Sequence, residues 1–374
     1  MKFGDLKIGP TAKKYLLRAI DTNHVTEGPI TKEFENRFSE LFGYKHSIAC
    51  GTGTDADICC CAALYGFGAE RGDEIIVPAT TFVASANSVL AAGFIPKFVD
   101  INVETLNIDP QKIEEAITDK TRAIMAVHLM GKPAEMDSIL EISKKHNLMV
   151  IEDACEAHGA QYEEKYVGSI GDMGAFSFYV AHVVTCGEGG VVTTSNDKIN
   201  DLVRSIKTHG RPTGSIYFDF QRFGLNLRTT DLNAAIGMEG LEQFHETFKK
   251  RKENQYKLLG MLKELEEFMY LIREEKHEVI SPHAFPIVLK DPKFNCKKLY
   301  DYLESRGIQC KTLFGSLPTQ HNAFSFLKYK KGQFPSAEYV GENGLHFGIH
   351  QFLTESDLMY MADSIKSYFK TFKH

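Results

Sequence analysis

Three short stretches of this chain combine residue types able to do chemistry. In Cys50-Gly51-Thr52-Gly53-Thr54-Asp55-Ala56-Asp57, small residues lead directly into a helical pattern. Free N–H groups at a helix start, helped by the positive end of the helix dipole, suit a phosphate. The stretch is neither a G-x-x-x-x-G-K-[ST] phosphate loop nor a G-x-G-x-x-G dinucleotide fingerprint, and taken alone a plain glycine-rich helix start reads equally well. The second stretch, Ile151-Glu152-Asp153-Ala154-Cys155-Glu156-Ala157-His158-Gly159, sets acids at the end of an apolar run. A carboxylate there could hold a protonated ring nitrogen, or cap a following helix. The third runs from Gly174 to Gly190 and carries Ser177, His182 and Gly187-Glu188-Gly189-Gly190. A histidine in such company can exchange protons near neutral pH.

The elements around these stretches alternate. A helical segment follows Gly53, Glu74-Ile75-Ile76-Val77 ends in Pro78, and a small-residue helix covers Ala84 to Ala92. Lys97-Phe98-Val99 and Ala123 to Val127 read as strands, Met136 to His146 as a helix, and Leu148-Met149-Val150-Ile151 as a strand closing on Glu152-Asp153. Such alternation predicts a mostly parallel sheet covered by helices, with functional groups gathered at the carboxyl ends of the strands. A long charged helical stretch from about Gly240 to Glu267 leads to a second unit, with a strand over Ala284 to Leu289, a helix from Asn295 to Arg306 and a strand after Gly307. The expected division is a large domain over 1–250 and a smaller one over 251–374.

Composition narrows the function classes. A formal charge of -6 and scattered Lys and Arg residues leave no basic stripe for nucleic acid or an anionic membrane. No apolar run is long enough to span a bilayer, and the start, MKFGDLKIGPTAKKYLLRAI, lacks a signal peptide's apolar core and cleavage site; the chain reads as cytoplasmic. Cys59, Cys60 and Cys61 lie together in an apolar helical stretch, no C-x-x-C occurs, and the cysteines and histidines show no zinc-ligand spacing. No metal is expected.

The third stretch, Ser177-Phe178-Tyr179-Val180-Ala181-His182-Val183-Val184-Thr185-Cys186-Gly187-Glu188-Gly189-Gly190, resembles the pattern S-F-x-x-x-K-x-x-x-x-G-E-G-G of the sugar aminotransferase/dehydratase (DegT/DnrJ/EryC1/StrS) family of fold-type I pyridoxal-phosphate enzymes. The resemblance extends along the chain through Gly28-Pro29 with Phe34-Glu35, Gly72-Asp73-Glu74-Ile75-Ile76-Val77-Pro78, Val127-His128-Leu129-Met130-Gly131, and Asn226-Leu227-Arg228 with Ala234-Ala235-Ile236-Gly237. It implies an α/β fold, with a large domain on a mostly parallel seven-stranded sheet and a smaller α+β C-terminal domain. It also implies pyridoxal or pyridoxamine 5'-phosphate as cofactor. Gly53 and Thr54 would bind the cofactor phosphate through backbone N–H groups, with the Ser177 hydroxyl beside them. Phe82 would stack on the ring, Asp153 pair with its nitrogen, and Glu156 lie beside its hydroxyl. Asn226 would reach the phosphate in a neighbouring subunit, giving a homodimer with a shared active site. His209, Arg228 and His350 are candidates for substrate contact, while His128 and His158 read as hydrogen-bonded structural histidines.

At residue 182 the chain departs from the aminotransferase pattern, because histidine replaces the lysine that holds the cofactor as an imine. An imidazole cannot form that imine, yet it can still move protons. The exchange resembles the nucleotide-sugar 3-dehydratases of dideoxysugar and surface-polysaccharide synthesis. One branch of these uses an iron–sulfur cluster, whose cysteines are missing here: none lies between Cys186 and Cys296. The cluster-free branch, of the GDP-4-keto-6-deoxymannose 3-dehydratase type, fits better, and Glu338-Tyr339, Asn343-Gly344-Leu345 and Gly348-Ile349-His350-Gln351 resemble its C-terminal pattern. The implied reaction uses glutamate as amino donor and His182 as acid/base to expel the C3 hydroxyl of a nucleotide-linked 4-keto-6-deoxy sugar. Sixteen residues separate His209 from Asn226, a loop closer in length to ordinary aminotransferases. Two other readings remain: a nucleotide-sugar aminotransferase whose lysine lies elsewhere or is mutated, and a non-catalytic cofactor-binding scaffold.

Overall fold

The computed structural model describes residues 1–371 apart from residues 3, 5, 213, 215 and 292. Strands β1 (His46–Cys50), β2 (Glu74–Pro78), β3 (Ile95–Val99), β4 (Thr121–Val127) and β5 (Met149–Asp153) alternate with helices, followed by the short β6 (Gln161–Tyr162) and β7 (Lys165–Tyr166), then β8 (Met173–Ser177) and β9 (Gly190–Thr194). Seven of them form one sheet in the order β1-β9-β8-β5-β4-β2-β3. Every neighbour from β3 to β8 pairs in parallel, and β9 runs antiparallel to both β8 and β1. The predicted parallel sheet is thus present. Its strands are buried on both faces, as a sheet covered by crossover helices must be.

Local chemistry sets where the helices begin. Thr52 caps the helix Gly53–Ala63 by accepting the Asp55 N–H, and Asn295 caps Cys296–Ser305 by accepting the Lys298 N–H. Pro10 and Pro29 open two N-terminal helices, Pro10–Asp21 and Pro29–Phe42. The helix Met136–His146 stops at Asn147, which takes a left-handed conformation. The charged stretch read as one helix from Gly240 to Glu267 is instead two, Asp231–Glu242 and Phe244–Met261. They break at Gln243, where Phe244 turns into the aromatic cluster with Phe42 and Phe248; burial of that ring outweighs helix continuity.

A second sheet comes entirely from the later chain: β10 (Met269–Leu271), β12 (Ala284–Leu289), β13 (Cys310–Thr312) and β14 (Gly344–Gly348), all antiparallel in the order β10-β12-β14-β13. Its core includes Leu299, Leu303, Phe347 and Ile365. The helix Phe244–Met261 enters both cores, with Phe244 in the first and Leu258 and Leu259 in the second. Between β10 and β12, β11 (Glu278–Val279) pairs with β6 and stitches the two units together. Among the described residues no helix is long and apolar enough to cross a membrane.

Candidate active site

At the carboxyl ends of β1, β2, β4, β5 and β8 the sheet opens into a cavity of about 640 Å³. One end of it is built at the start of the helix Gly53–Ala63. The Thr52 hydroxyl accepts the Asp55 N–H at 3.0 Å, which leaves the N–H groups of Gly53 and Thr54 at the open helix end, where no intrahelical acceptor exists. A Cβ on Gly53 would come 2.5 Å from Ser177 Cβ, so only glycine brings the helix this close to the end of β8. A Cβ on Gly190 would strike the Thr52 carbonyl oxygen at 2.0 Å. The Gly-Glu-Gly-Gly segment therefore lets β9 and the phosphate-sized loop touch backbone to backbone.

Period-two alternation along β5 sends its two acids to opposite faces. Glu152 accepts the N–H groups of Gly168, Ile170 and Gly171 and contacts His128 Nε2 at 3.0 Å. His128 Nδ1 accepts the Ala134 N–H, so His128 is the structural histidine that was anticipated. Asp153 faces the cavity, and its Oδ2 accepts the Ser85 hydroxyl at 2.6 Å. Glu156 follows, its Oε2 accepting the Met130 N–H at 2.7 Å. Burial pushes Glu156 up to about 7, the Met130 N–H working against the shift and Asp153 adding to it. Phe82 stands at the mouth, its ring centroid 5.7 Å from that of Phe314.

His182 lies on the loop between β8 and β9, in the cavity wall. Its Nδ1 is 3.2 Å from the Tyr179 carbonyl oxygen, which makes Nδ1 the protonated nitrogen and Nε2 the basic one. Burial lowers its pKa to about 4, the Tyr179 carbonyl opposing this and the Arg251 charge assisting; the ring is neutral at neutral pH. Arg251, itself buried, donates to the carbonyls of Ala181, His182, Pro282 and His283 and so ties two remote segments together. As a result the His283 ring sits 4.8 Å from that of His182, with Nε2 3.7 Å from Glu156 Oε1. Burial also depresses His283 strongly and His346 to about 3.

Gly53, Thr54, Phe82, Asp153, Glu156, Ser177 and His182 therefore line one cavity. The remaining candidates do not. His209 and Arg228 line a second cavity of about 700 Å³ with Arg204, Lys207 and Arg211, on a segment where Thr208 and Asn226 form an antiparallel bridge. Asn226 is exposed beside it, and its Oδ1 accepts Arg228 Nε at 2.8 Å. His350 is buried, its carbonyl accepting Asn254 Nδ2, and it lines neither cavity. His158 corrects another expectation: it is fully buried, yet among the described residues neither ring nitrogen has a hydrogen-bond partner, and the rings of Phe38, Phe176, Phe178 and His182 pack around it. Sequence reading missed Lys2, Asp57, His283, Lys311, Phe314 and His346 as cavity residues. Only Asp57 lay inside a stretch already singled out.

Residues 7–366 match the DegT/DnrJ/EryC1/StrS aminotransferase family. The chain is 36% identical over 362 residues to the GDP-perosamine synthase of Caulobacter vibrioides, covering 92% of each. It is 30% identical over 375 residues to the GDP-4-keto-6-deoxy-D-mannose 3-dehydratase of Escherichia coli O55:H7, covering 94% of this chain and 96% of that one. The solved structure of the E. coli GDP-4-keto-6-deoxy-D-mannose-3-dehydratase with bound hydrated PLP superposes with a TM-score of 0.89 at 28% identity, over 97% of this chain and 98% of the other.

Proposed function

This chain belongs to the DegT/DnrJ/EryC1/StrS aminotransferase family and uses pyridoxal phosphate, and we propose that it is a 3-dehydratase acting on a nucleotide-linked 4-keto-6-deoxy sugar. The cavity fits the cofactor at each end. Gly53, Thr54 and Ser177 offer donors for a phosphate, Asp153 offers a carboxylate to the ring nitrogen, and Phe82 offers an apolar face. When bound in its amine form, the cofactor supplies the nitrogen that condenses with the sugar's 4-keto carbon and a ring that withdraws electrons.

The observation that carries the reading is His182 at the position of the tethering lysine. Its Nε2, neutral and basic, takes a proton next to the cofactor ring, and the resulting imidazolium gives that proton to the departing C3 hydroxyl. Arg251 holds the backbone carbonyl of His182 and keeps the ring at the wall. Lacking an amine, His182 cannot recapture the cofactor covalently, so elimination is favoured over transfer of an amino group. Glutamate serves as the amino donor and ammonia is the by-product.

The protein acts as a cytoplasmic homodimer that shares its sites. Supporting the dimer, Asn226 and Arg228 are exposed, and the adjoining segment exposes Ile216, Tyr217, Phe218 and Phe220, a run of apolar side chains of the kind that marks an interaction surface.

Incubation with pyridoxal phosphate, glutamate and a panel of nucleotide-linked 4-keto-6-deoxy sugars, followed by mass and ammonia, tests the proposal. Loss of the C3 oxygen with ammonia release is the result anticipated; gain of an amino group overturns it. The second reading, a nucleotide-sugar aminotransferase, draws on the relative named GDP-perosamine synthase and on Lys2 and Lys311 in the cavity wall. Borohydride treatment separates the two, since cofactor retained covalently on either lysine would favour the aminotransferase.

A further inference from the structure

Asp57 is an acid in a place where an acid is costly. It lies in the helix Gly53–Ala63, one turn beyond the glycine-rich loop, is 1% exposed, and among the described residues neither carboxyl oxygen has a hydrogen-bond partner. It nevertheless lines the cavity. One of its carboxyl oxygens, one of Asp153 and the Cys155 sulfur lie within 4.8 Å of one another. A helix facing this core needs only an apolar residue there, as Ile58, Cys59 and Ala62 show on either side. Two carboxyls this close in a buried site cannot both carry charge without a counter-charge, so one holds a proton.

The distribution of partners says which one. Asp153 accepts the Ser85 hydroxyl and the Cys155 N–H, contacts that suit an anion. Asp57 accepts none, and burial followed by the Asp153 charge pushes it well above the usual carboxylate range. The other titratable groups facing it are Cys155 from the end of β5 and Cys60 and Cys61 from its own helix, thiols that burial also pushes well up. Among the described residues no cation acts on Asp57.

We propose that Asp57 and Asp153 form a two-carboxyl, one-proton pair that meets the cofactor's pyridine nitrogen, with Asp57 supplying the proton that nitrogen carries. The Asp57 O–H bond breaks and an N–H bond forms on the ring, the proton passing by way of Asp153. The pair gains one negative charge as the ring gains one positive charge, so nothing outside the site is consumed. Asp57 is a positioning residue: it acts through Asp153 and keeps the ring protonated, and so electron-withdrawing, to a higher pH than one carboxylate would. The inference rests on the reading that Asp153 faces the ring nitrogen.

The test binds ¹⁵N-labelled pyridoxamine phosphate and follows the ring-nitrogen chemical shift with pH in the wild type, Asp57→Asn, Asp57→Leu and Asp153→Asn, with circular dichroism as the check of folding. Either Asp57 variant should lose the protonated-nitrogen signal about 1–3 pH units below the wild type, the range expected for removing one nearby opposite charge. The cofactor-free wild type should also show an infrared band of a buried protonated carboxyl at neutral pH that Asp57→Asn lacks. An unchanged nitrogen titration in both Asp57 variants overturns the inference, as does a divalent ion in elemental analysis that Asp57→Asn releases. If Asp153→Asn abolishes nitrogen protonation while the Asp57 variants leave it intact, only the inference fails. If Asp153→Asn also leaves it intact, the reading of Asp153 fails and takes the inference with it.

Discussion

Two cavities of similar volume, about 640 and about 700 Å³, lie in this molecule and are built in opposite ways. The first is formed where five strand ends meet, and its polar groups are held by backbone: Glu156 by the Met130 N–H, His182 by the Tyr179 carbonyl, Asp153 by the turn that follows it. The second is rimmed by a segment that displays its aromatic rings to solvent, with Phe218 82% exposed under the Arg211 guanidinium. Burial in the first cavity shifts protonation before any ligand arrives, which prepares it for acid/base work. The second gathers Arg204, Lys207, His209, Arg211 and Arg228 and is the more open of the two to solvent. The proposed shared dimer would place the outward-facing Asn226 and Arg228 at the site of a second copy.

The largest effect is expected at the first cavity. His182→Asn should lower dehydration by about 10²–10⁴-fold, the usual worth of a positioned acid/base, while bound cofactor, measured by absorbance, is retained. Loss of the cofactor together with activity would mean that His182 holds it rather than moves protons. Next in size is a mixing experiment. Asn226→Ala should release cofactor, yet combined with the inactive His182→Asn protein it should restore up to roughly a quarter of wild-type activity, because random pairing leaves one intact site in half the dimers. If each chain served its own site, mixing would restore nothing.

Replacing both Phe218 and Phe220 with Ser tests the open side of the second cavity. Dimer dissociation, followed by sedimentation, should rise by at least about tenfold given the area of apolar ring withdrawn; an unchanged constant would remove the loop from the interface. The smallest effect concerns Glu156, which burial raises to about 7. The neutral acid can donate to the ring hydroxyl and the carboxylate cannot, so cofactor affinity should fall severalfold as pH rises through about 7. In Glu156→Gln that dependence should flatten. The same linkage gives Glu156 a contribution to folding that is complete below its unfolded value and is lost as pH rises toward about 7.

Much of this was legible in the sequence because it is local. A capped helix at Gly53, a strand ending at Asp153, a helix over Met136–His146 and a strand over Ala284–Leu289 each follow from a few adjacent residues. Other features obey competing forces that no local pattern exposes. The break at Gln243 reflects where Phe244 is buried, and among the described residues His158 lacks hydrogen-bond partners because the rings of Phe38 and Phe178, from other elements, close around it.

The amino-acid order alone determined the chemical vocabulary of this protein: a phosphate-sized loop, a carboxylate at a strand end, and a histidine where a lysine is the rule. Neighbours in sequence stay neighbours in any fold, so such motifs survive without knowledge of the packing. The tertiary structure decided which acid of Glu152-Asp153 faces the cavity, that Asp57 comes against Asp153, and that Arg251 draws His283 to His182. Those contacts join segments far apart in the chain, and only the strand order β1-β9-β8-β5 and the docking of the second sheet bring them within reach.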